Sequence, residues 1–350
     1  VELASKFDDH TNRKPTVIGV NLAEQTGDNM QYVPDLMDIA TPQPQRRRLD
    51  NPEAVAALLS RETIARVEAV CSVQAGDPVV LLSGGVDSIL VAAAAVKAGY
   101  WPRAITVTTA EGTDQDNAAA AANALGLAHH VVALDECAVV ELARESVARL
   151  GLPELWEVSY AISLLAAKQA LDRLDSVGPI LTGNAADTIF AGGRVLTYPV
   201  GSPEAIDELD RLIRKKSASN FRYRRLVPDF HERVIPEYAS RFVHIFQTVR
   251  FWTLAEQLAP SALFGNPHGA PADKLCVRLA CRQLLPESAS GLVWAKKSAF
   301  QNSAGVIGSL ATAARYRAAD LPGARTYTDP ATESWQAVAT RLYLALLAAE

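Results

Sequence analysis

The stretch VVLLSGGVDSIL, residues 79–90, joins three signals in one short segment. An apolar run forms a buried strand ending at Ser83, two glycines turn the chain, and a helix starts near Asp87. Glycine is needed at such a turn because a backbone folded tightly around an anion has φ values and approach distances that a Cβ would block. Backbone N–H groups then point inward and, with Ser83, Ser88 and the positive end of the helix, make a seat for a phosphate or pyrophosphate. Asp87 inside that nest would repel phosphate unless Mg²⁺ lay between them, so the ligand expected is Mg-ATP. The plain alternative is an ordinary glycine turn. Five fixed letters in SGGxDS arise by chance in about one chain of this length in 10,000, which favours the phosphate seat. Neither GxxxxGK[ST] nor GxGxxG is present.

Outward from the loop, strand and helix signals alternate. A helical pattern runs from Asn51 to about Val73, and the loop helix spans Asp87–Ala98. The strand AITVTT follows, then a helix over Asn117–Leu125, the strand HHVVAL, helices over Val139–Leu150 and Tyr160–Leu174, and the strand PILTG. Short apolar strands separated by helices predict an α/β fold, a parallel sheet with helices on both faces. After Pro203 the strand signal stops: Glu204–Lys216, Arg233–Leu258, Asp273–Leu284 and Glu333–Ala349 all read as helices. The expected organisation is an extension over residues 1–50, an ATP-binding α/β core over 51–200 and a helical substrate-side subdomain over 201–350. The extension is rich in turn formers, with one short apolar run at Thr16–Leu22 that reads as a strand.

Of the 350 residues, 49% are hydrophobic and 21% charged, enough apolar material for a full core. The formal charge of −5 argues against wholesale nucleic-acid binding, which needs a basic surface. Cys71, Cys137, Cys276 and Cys281 show no CxxC pair and no zinc-ligand spacing, and no apolar run reaches the ~18–20 residues a bilayer requires. A cytoplasmic protein is expected, with no membrane partner.

SGGVDS resembles the pyrophosphate loop of the ATP-pyrophosphatase superfamily, whose members cleave ATP between the α and β phosphates. LGLAHH (125–130) is similar to the LGxxHH segment of asparagine synthetases. ILTGNAADTIFAGG (180–193) resembles their LSGEGxDExFxGG segment and, more closely, the LTGYGAD of β-lactam synthetases. AKKSAFQ (295–301) is similar to the KQGF segment near the end of the same domain. The resemblance covers about residues 51–310.

The resemblance implies that Ser83, Gly84, Gly85, Asp87 and Ser88 hold the β and γ phosphates, and that Leu81 and Val107 flank adenine with backbone contacts. Thr182 and Gly183 would close the nucleotide pocket, and Asp87 and Asp187 match the two carboxylates that bind Mg²⁺. Asp187 has a plain alternative as a helix N-cap. Lys297, with Lys296 beside it, falls where the family has a lysine that neutralises charge on the acyl-adenylate reaction, and a solvated lysine pair is the bland reading. His129 and His130 receive no chemistry and start a strand.

Two departures shape the functional reading. Asparagine synthetases begin with a nucleophilic cysteine of a glutaminase domain, whereas the first cysteine here is Cys71 in a helix; RRRLDNPEAV (46–55) sits where the resemblance places the inter-domain connection, so residues 1–50 read as a remnant of that domain. The nitrogen is then expected from ammonia, from a separate glutaminase subunit or from a second amine. Asn184 stands where asparagine synthetases have glutamate and β-lactam synthetases a tyrosine of the base machinery, and an asparagine accepts no proton at neutral pH. Either another residue serves as base or the nucleophile arrives neutral. Thr188 replaces the family's usual glutamate, FRYRR (221–225) is a basic cluster that could meet a carboxylate, a phosphate or a carrier protein, and His268 in NPHGAPAD (266–273) is an available base.

The expected activity is Mg-ATP-dependent, AMP-forming amide synthesis from a small carboxylic acid and a nitrogen nucleophile, in specialised metabolite biosynthesis. Two rivals stand beside it: a nucleobase- or tRNA-modifying enzyme of the same superfamily, and a non-catalytic nucleotide-binding partner protein.

Overall fold

The computed structural model describes residues 39–113, 115–218, 229–295, 304–317 and 335–350. Helix α1 (Pro52–Val73) begins where Asn51 accepts the N–H of Ala54 and Pro52 supplies a preset first-turn φ. There follow β1 (Val79–Leu81), α2 (Val86–Lys97), β2 (Arg103–Thr109), α3 (Gln115–Ala124) and β3 (His129–Leu134). Then come α4 (Glu136–Leu150), α5 (Leu155–Leu171), β4 (Ile180–Thr182), the single turn α6 (Ala186–Ile189) and α7 (Pro203–Ser217). The remainder is α8 (Phe230–Val234), β5 (Phe242–His244), α9 (Val249–Ala255), α10 (Pro260–Leu263), α11 (Leu275–Leu284), α12 (Val306–Tyr316) and α13 (Trp335–Ala349).

The five strands pair in the order β3-β2-β1-β4-β5, all parallel. The α/β architecture expected from the strand–helix alternation is therefore present. Each sheet face has its own core, and the strands divide their residues between them with period two. Val80 and Leu82 join the cluster packed by α1, α2 and α11, whereas Val79 and Leu81 join the cluster packed by α4, α5 and α12. Helix α2 is buried from Val86 to Ala95, and its four consecutive alanines let α1 and α11, which also pack on each other, approach it closely.

The expectation that the chain after Pro203 is purely helical is corrected by β5. In place of one helix over Arg233–Leu258 there are α8, a strand and α9. Pro236 ends the helical pattern, and pairing of Phe242 with Ile180 buries Phe242 in one core and Val243 in the other. A three-residue strand buried on both faces carries no alternation to read.

The segment before α1 is tied into the fold. The N–H groups of Arg48 and Leu49 both reach the carbonyl of Gln257, and the Arg47 guanidinium donates to Asp210 at 2.9 Å and to the Ala255 and Leu258 carbonyls. Arg214, fully buried, pairs with the same Asp210 and with Glu256 and lies over the Trp252 ring. Burial lowers the Arg47 pKa to about 10, partly offset by Asp210, so it remains charged at neutral pH. The Thr16–Leu22 strand lies outside the described residues.

The strand order reverses direction between β1 and β4: the chain builds outward through β2 and β3, then returns to the other side of β1. Ligands of open α/β sheets bind at the carboxyl ends of the strands flanking such a switch point. The segments that follow those two strands are SGGVDS and TGNAAD.

Candidate active site

The loop after β1 turns at Gly84, whose φ is +76°, and Gly85 caps α2. The two serines lock it. Ser88 Oγ donates to the Gly85 carbonyl at 2.9 Å and accepts the Ser83 N–H at 3.1 Å, and the Ser83 and Ser88 hydroxyls are 3.2 Å apart. Asn117 of α3 bonds the Gly84 carbonyl from outside. The segment after β4 presses onto this loop: a Cβ on Gly183 would lie 2.8 Å from the Asp87 carbonyl carbon and 2.9 Å from the Ser88 nitrogen. Gly183 is required by that approach.

The closure brings Asp87 and Asp187, 100 residues apart in the chain, to one cation, the Lys274 ammonium. Lys274 Nζ donates to both Asp87 oxygens at 2.9 Å and to Asp187 Oδ1 at 2.7 Å. Asp87 and Lys274 are buried, whereas the Asp187 side chain keeps 36% of its exposure. Lys274 sits in the left-handed region, φ 49°, at the start of α11, a conformation costing about 1–2 kcal/mol for a residue with a Cβ. Two further residues with a Cβ at positive φ flank Asp187, Ala185 (75°) and Ala191 (55°). Ala185→Gly is therefore expected to stabilise the protein by about 0.5–1 kcal/mol in urea unfolding. A lower unfolding midpoint in that variant would show that the turn is unstrained.

Asp273 and Arg278 clamp the far side. Asp273 Oδ2 accepts the Gly193 N–H at 2.5 Å and Oδ1 meets Arg278 at 2.8 Å. Burial alone would raise the Asp273 carboxyl, but these bonds and the Lys274 and Arg278 charges outweigh it and hold its pKa below the usual value. Arg278 also donates to the carbonyls of Val293 (2.5 Å) and Ala295 (3.3 Å), fixing the chain just before Lys296 and Lys297. Both lysines fall in residues 296–303, outside the described residues, as do FRYRR (221–225) and the His268 side chain.

Ser83, Gly84, Gly85, Asp87, Ser88, Thr182, Gly183 and Asp187 thus meet at the β1/β4 switch point, and Leu81 and Val107 turn their side chains to the same face of the sheet. Asn184 enters the site as a donor: its Nδ2 reaches Tyr160 Oη at 2.8 Å and lies 3.5 Å from His244 Nδ1. Thr188 is buried in α6, one residue beyond Asp187. His129 begins β3, and its Nε2 meets Thr106 Oγ1 at 2.8 Å, a structural contact. The cysteines are free; burial pushes the thiols of Cys71 and Cys276 up to about 12, so neither is a nucleophile at neutral pH.

Among the described residues no three His, Cys, Asp or Glu side chains converge on one point. A metal here would take Asp87 and Asp187 and complete its shell from phosphate and water. That donor set fits Mg²⁺, a hard cation typically held by one or two carboxylates plus substrate phosphates. The ammonium already between the two carboxylates stands in for such a charge.

Lys274, Tyr160 and His244 escaped the sequence reading. Lys274 follows directly on the NPHGAPAD segment, and the only local signal was a lysine opening an amphipathic helix four residues before Arg278. Its partners are 187 and 87 residues away.

A family model described as asparagine synthase matches residues 61–236, half of the chain, from within α1 to the turn before β5. The chain belongs to the asparagine synthase family. This family is one of ATP-dependent amide-bond synthetases, and the matched region carries the glycine loop and both aspartates. Lys274, His244 and the Asp273–Arg278 clamp lie beyond it. No curated protein matches the chain. No helix among the described residues is long and apolar enough to cross a membrane.

Proposed function

We propose that this member of the asparagine synthase family is a Mg-ATP-dependent, AMP-forming synthetase that adenylates a small carboxylic acid and passes the acyl group to ammonia or another nitrogen nucleophile. The observation that carries the reading is the junction of Asp87 and Asp187 on one buried cation beside a glycine loop at the sheet's switch point. The acid's oxygen attacks the α-phosphorus while the bond to the β-phosphate breaks, and pyrophosphate leaves. Nitrogen then attacks the acyl carbon, and AMP departs with the bonding electrons of its C–O bond.

The loop amides and the α2 N-terminus would receive the β and γ phosphates, with Ser83 and Ser88 already bonded to each other so that the loop is shaped in advance. Mg²⁺, held by Asp87 and Asp187, would neutralise charge on the phosphates. Lys274 would then exchange a carboxylate for a phosphate oxygen and remain paired. Lys297, two positions along the sequence from Ala295, is proposed to neutralise charge on the acyl-adenylate reaction. A carboxylate substrate and a nitrogen donor chosen outside central asparagine supply fit the changes at Asn184 and Thr188, which points to specialised biosynthesis.

The test is product analysis. With Mg-ATP, a panel of carboxylic acids and ammonia or hydroxylamine, acid-dependent AMP and pyrophosphate are expected in equal amounts. ADP with phosphate would overturn the α-phosphate chemistry, and tight ATP binding without turnover across the panel would favour a nucleotide-binding partner protein.

A further inference from the structure

We propose that Thr182 and His244 form a hydroxyl–imidazole relay that accepts the proton of the nitrogen nucleophile. The inference rests on the adenylating reading above and names a base for it, a role Asn184 cannot fill.

Thr182 and His244 are register partners at the carboxyl ends of the adjacent parallel strands β4 and β5, so both side chains leave the sheet on the same face. Thr182 Oγ1 lies 2.7 Å from His244 Nδ1. The Asn184 N–H donates to Thr182 Oγ1 at 3.4 Å, which occupies an acceptor position on that oxygen and leaves its proton for the imidazole. The Asn184 amide nitrogen, a donor only, stands 3.5 Å from the same Nδ1. Two donors therefore face Nδ1. It is the lone-pair nitrogen, and the proton of the neutral ring is on Nε2.

The surroundings hold that arrangement. Asn184 is fixed by its 2.8 Å bond to Tyr160, and the Tyr160 ring stacks on Phe230 with centroids 5.6 Å apart. His231 of α8 packs 5.4 Å from the His244 ring. Among the described residues the relay meets the titratable groups His231 and, through Asn184, Tyr160. Thr182 is buried and His244 half-buried, so the imidazole is reached from the site without being open to bulk water on every side. Gly183, the next residue, touches the Asp87 backbone, which places the relay one residue from the nucleotide loop.

In the aminolysis step the nitrogen forms a bond to the acyl carbon and the C–O bond to AMP breaks, its electron pair leaving with AMP. The excess proton on nitrogen passes to Thr182 Oγ1 as that hydroxyl gives its own proton to His244 Nδ1, leaving a neutral amide and an imidazolium. An imidazole suits this task because its ordinary pKa of about 6.5 lies near neutral pH.

Two measurements test the relay. In ¹⁵N NMR of the histidine-labelled protein, with the His244 signals assigned by their loss in His244→Gln, the Nε2–H tautomer is expected; an Nδ1–H tautomer overturns the proposal whatever the substrate is. The second uses a panel of amino acids and dicarboxylic acids, comparing acid-dependent ATP–pyrophosphate exchange with amide formation from ammonia. His244→Gln is expected to lose about 100-fold in amide formation and at most about 3-fold in exchange, and Thr182→Ser to recover amide formation that Thr182→Val loses. Equal losses in exchange and amide formation, or retained amide formation in His244→Gln, overturn the relay and leave adenylation standing. A wild-type enzyme with no acid-dependent exchange overturns the adenylating reading and the relay with it.

Discussion

Lys274→Met is expected to destabilise the protein by about 3 kcal/mol in the absence of divalent cation, because it removes the buried ammonium that Asp87 and Asp187 share. The figure is at the low end for stripping one partner from a buried ion pair, since Asp187 keeps 36% side-chain exposure and can turn toward water. Relief of the left-handed strain at residue 274 contributes nothing, as methionine keeps a Cβ. The same variant should gain more from Mg²⁺ than the wild type does. In the wild type a divalent ion competes with the Lys274 ammonium for the two carboxylates, whereas in the variant that competitor is gone, and ligand bound only to the folded state stabilises it by mass action. Urea unfolding with and without Mg²⁺ reads both effects. A loss under about 1 kcal/mol with no added response to Mg²⁺ would mean that the three Lys274 bonds carry no weight and that the carboxylates are not a cation site.

The second large effect is on chemistry. Asp87→Ala should reduce acid-dependent pyrophosphate formation by roughly 10³-fold, the scale of losing a preorganised electrostatic group at a phosphate-transfer site. The variant should still fold, because Lys274 keeps its 2.7 Å bond to Asp187 and the α2 N-terminus keeps its serine locks. Far-UV circular dichroism and the unfolding midpoint establish that, and quantified AMP and pyrophosphate establish the loss. Activity within tenfold of wild type in a folded Asp87→Ala protein would remove Asp87 from the nucleotide site and undercut the reading of the whole loop.

These two variants differ in how visible their residues were. Asp87 lies inside a local pattern: the strand, the glycines and the helix it opens are consecutive, and each requirement on backbone conformation is met by a residue within six positions of it. Asp187 was legible through the resemblance of ILTGNAADTIFAGG to a family segment, in the stretch that follows the strand PILTG. Lys274 was not, because its meaning comes from contacts with partners far away in the chain. The same holds for Arg47 and Asp210, 163 residues apart, whose buried pairing no local pattern announces.

The strands show a parallel limit. β1 and β2 were readable as apolar runs between helices, and β3 was readable from HHVVAL. β5 was not, since three residues cannot display a period and their helix-like spacing with Val234, Ile235 and Phe246 suggested a continuous helix. Only pairing to β4 makes Phe242–His244 a strand, and that pairing is what sets His244 beside Thr182.

What the amino-acid sequence determined by itself is the set of local devices: the glycine loop, the order of strands and helices, and the two acidic turns, each specified by short-range backbone sterics and hydrophobic periodicity. What only the tertiary structure decided is which side chains share a volume. The reversal of strand order between β1 and β4 brings the two acidic turns together, α11 delivers Lys274 into the gap, and β5 delivers His244 to its edge. Such meetings depend on chain closure over long separations, for which no nearby residue carries a signature.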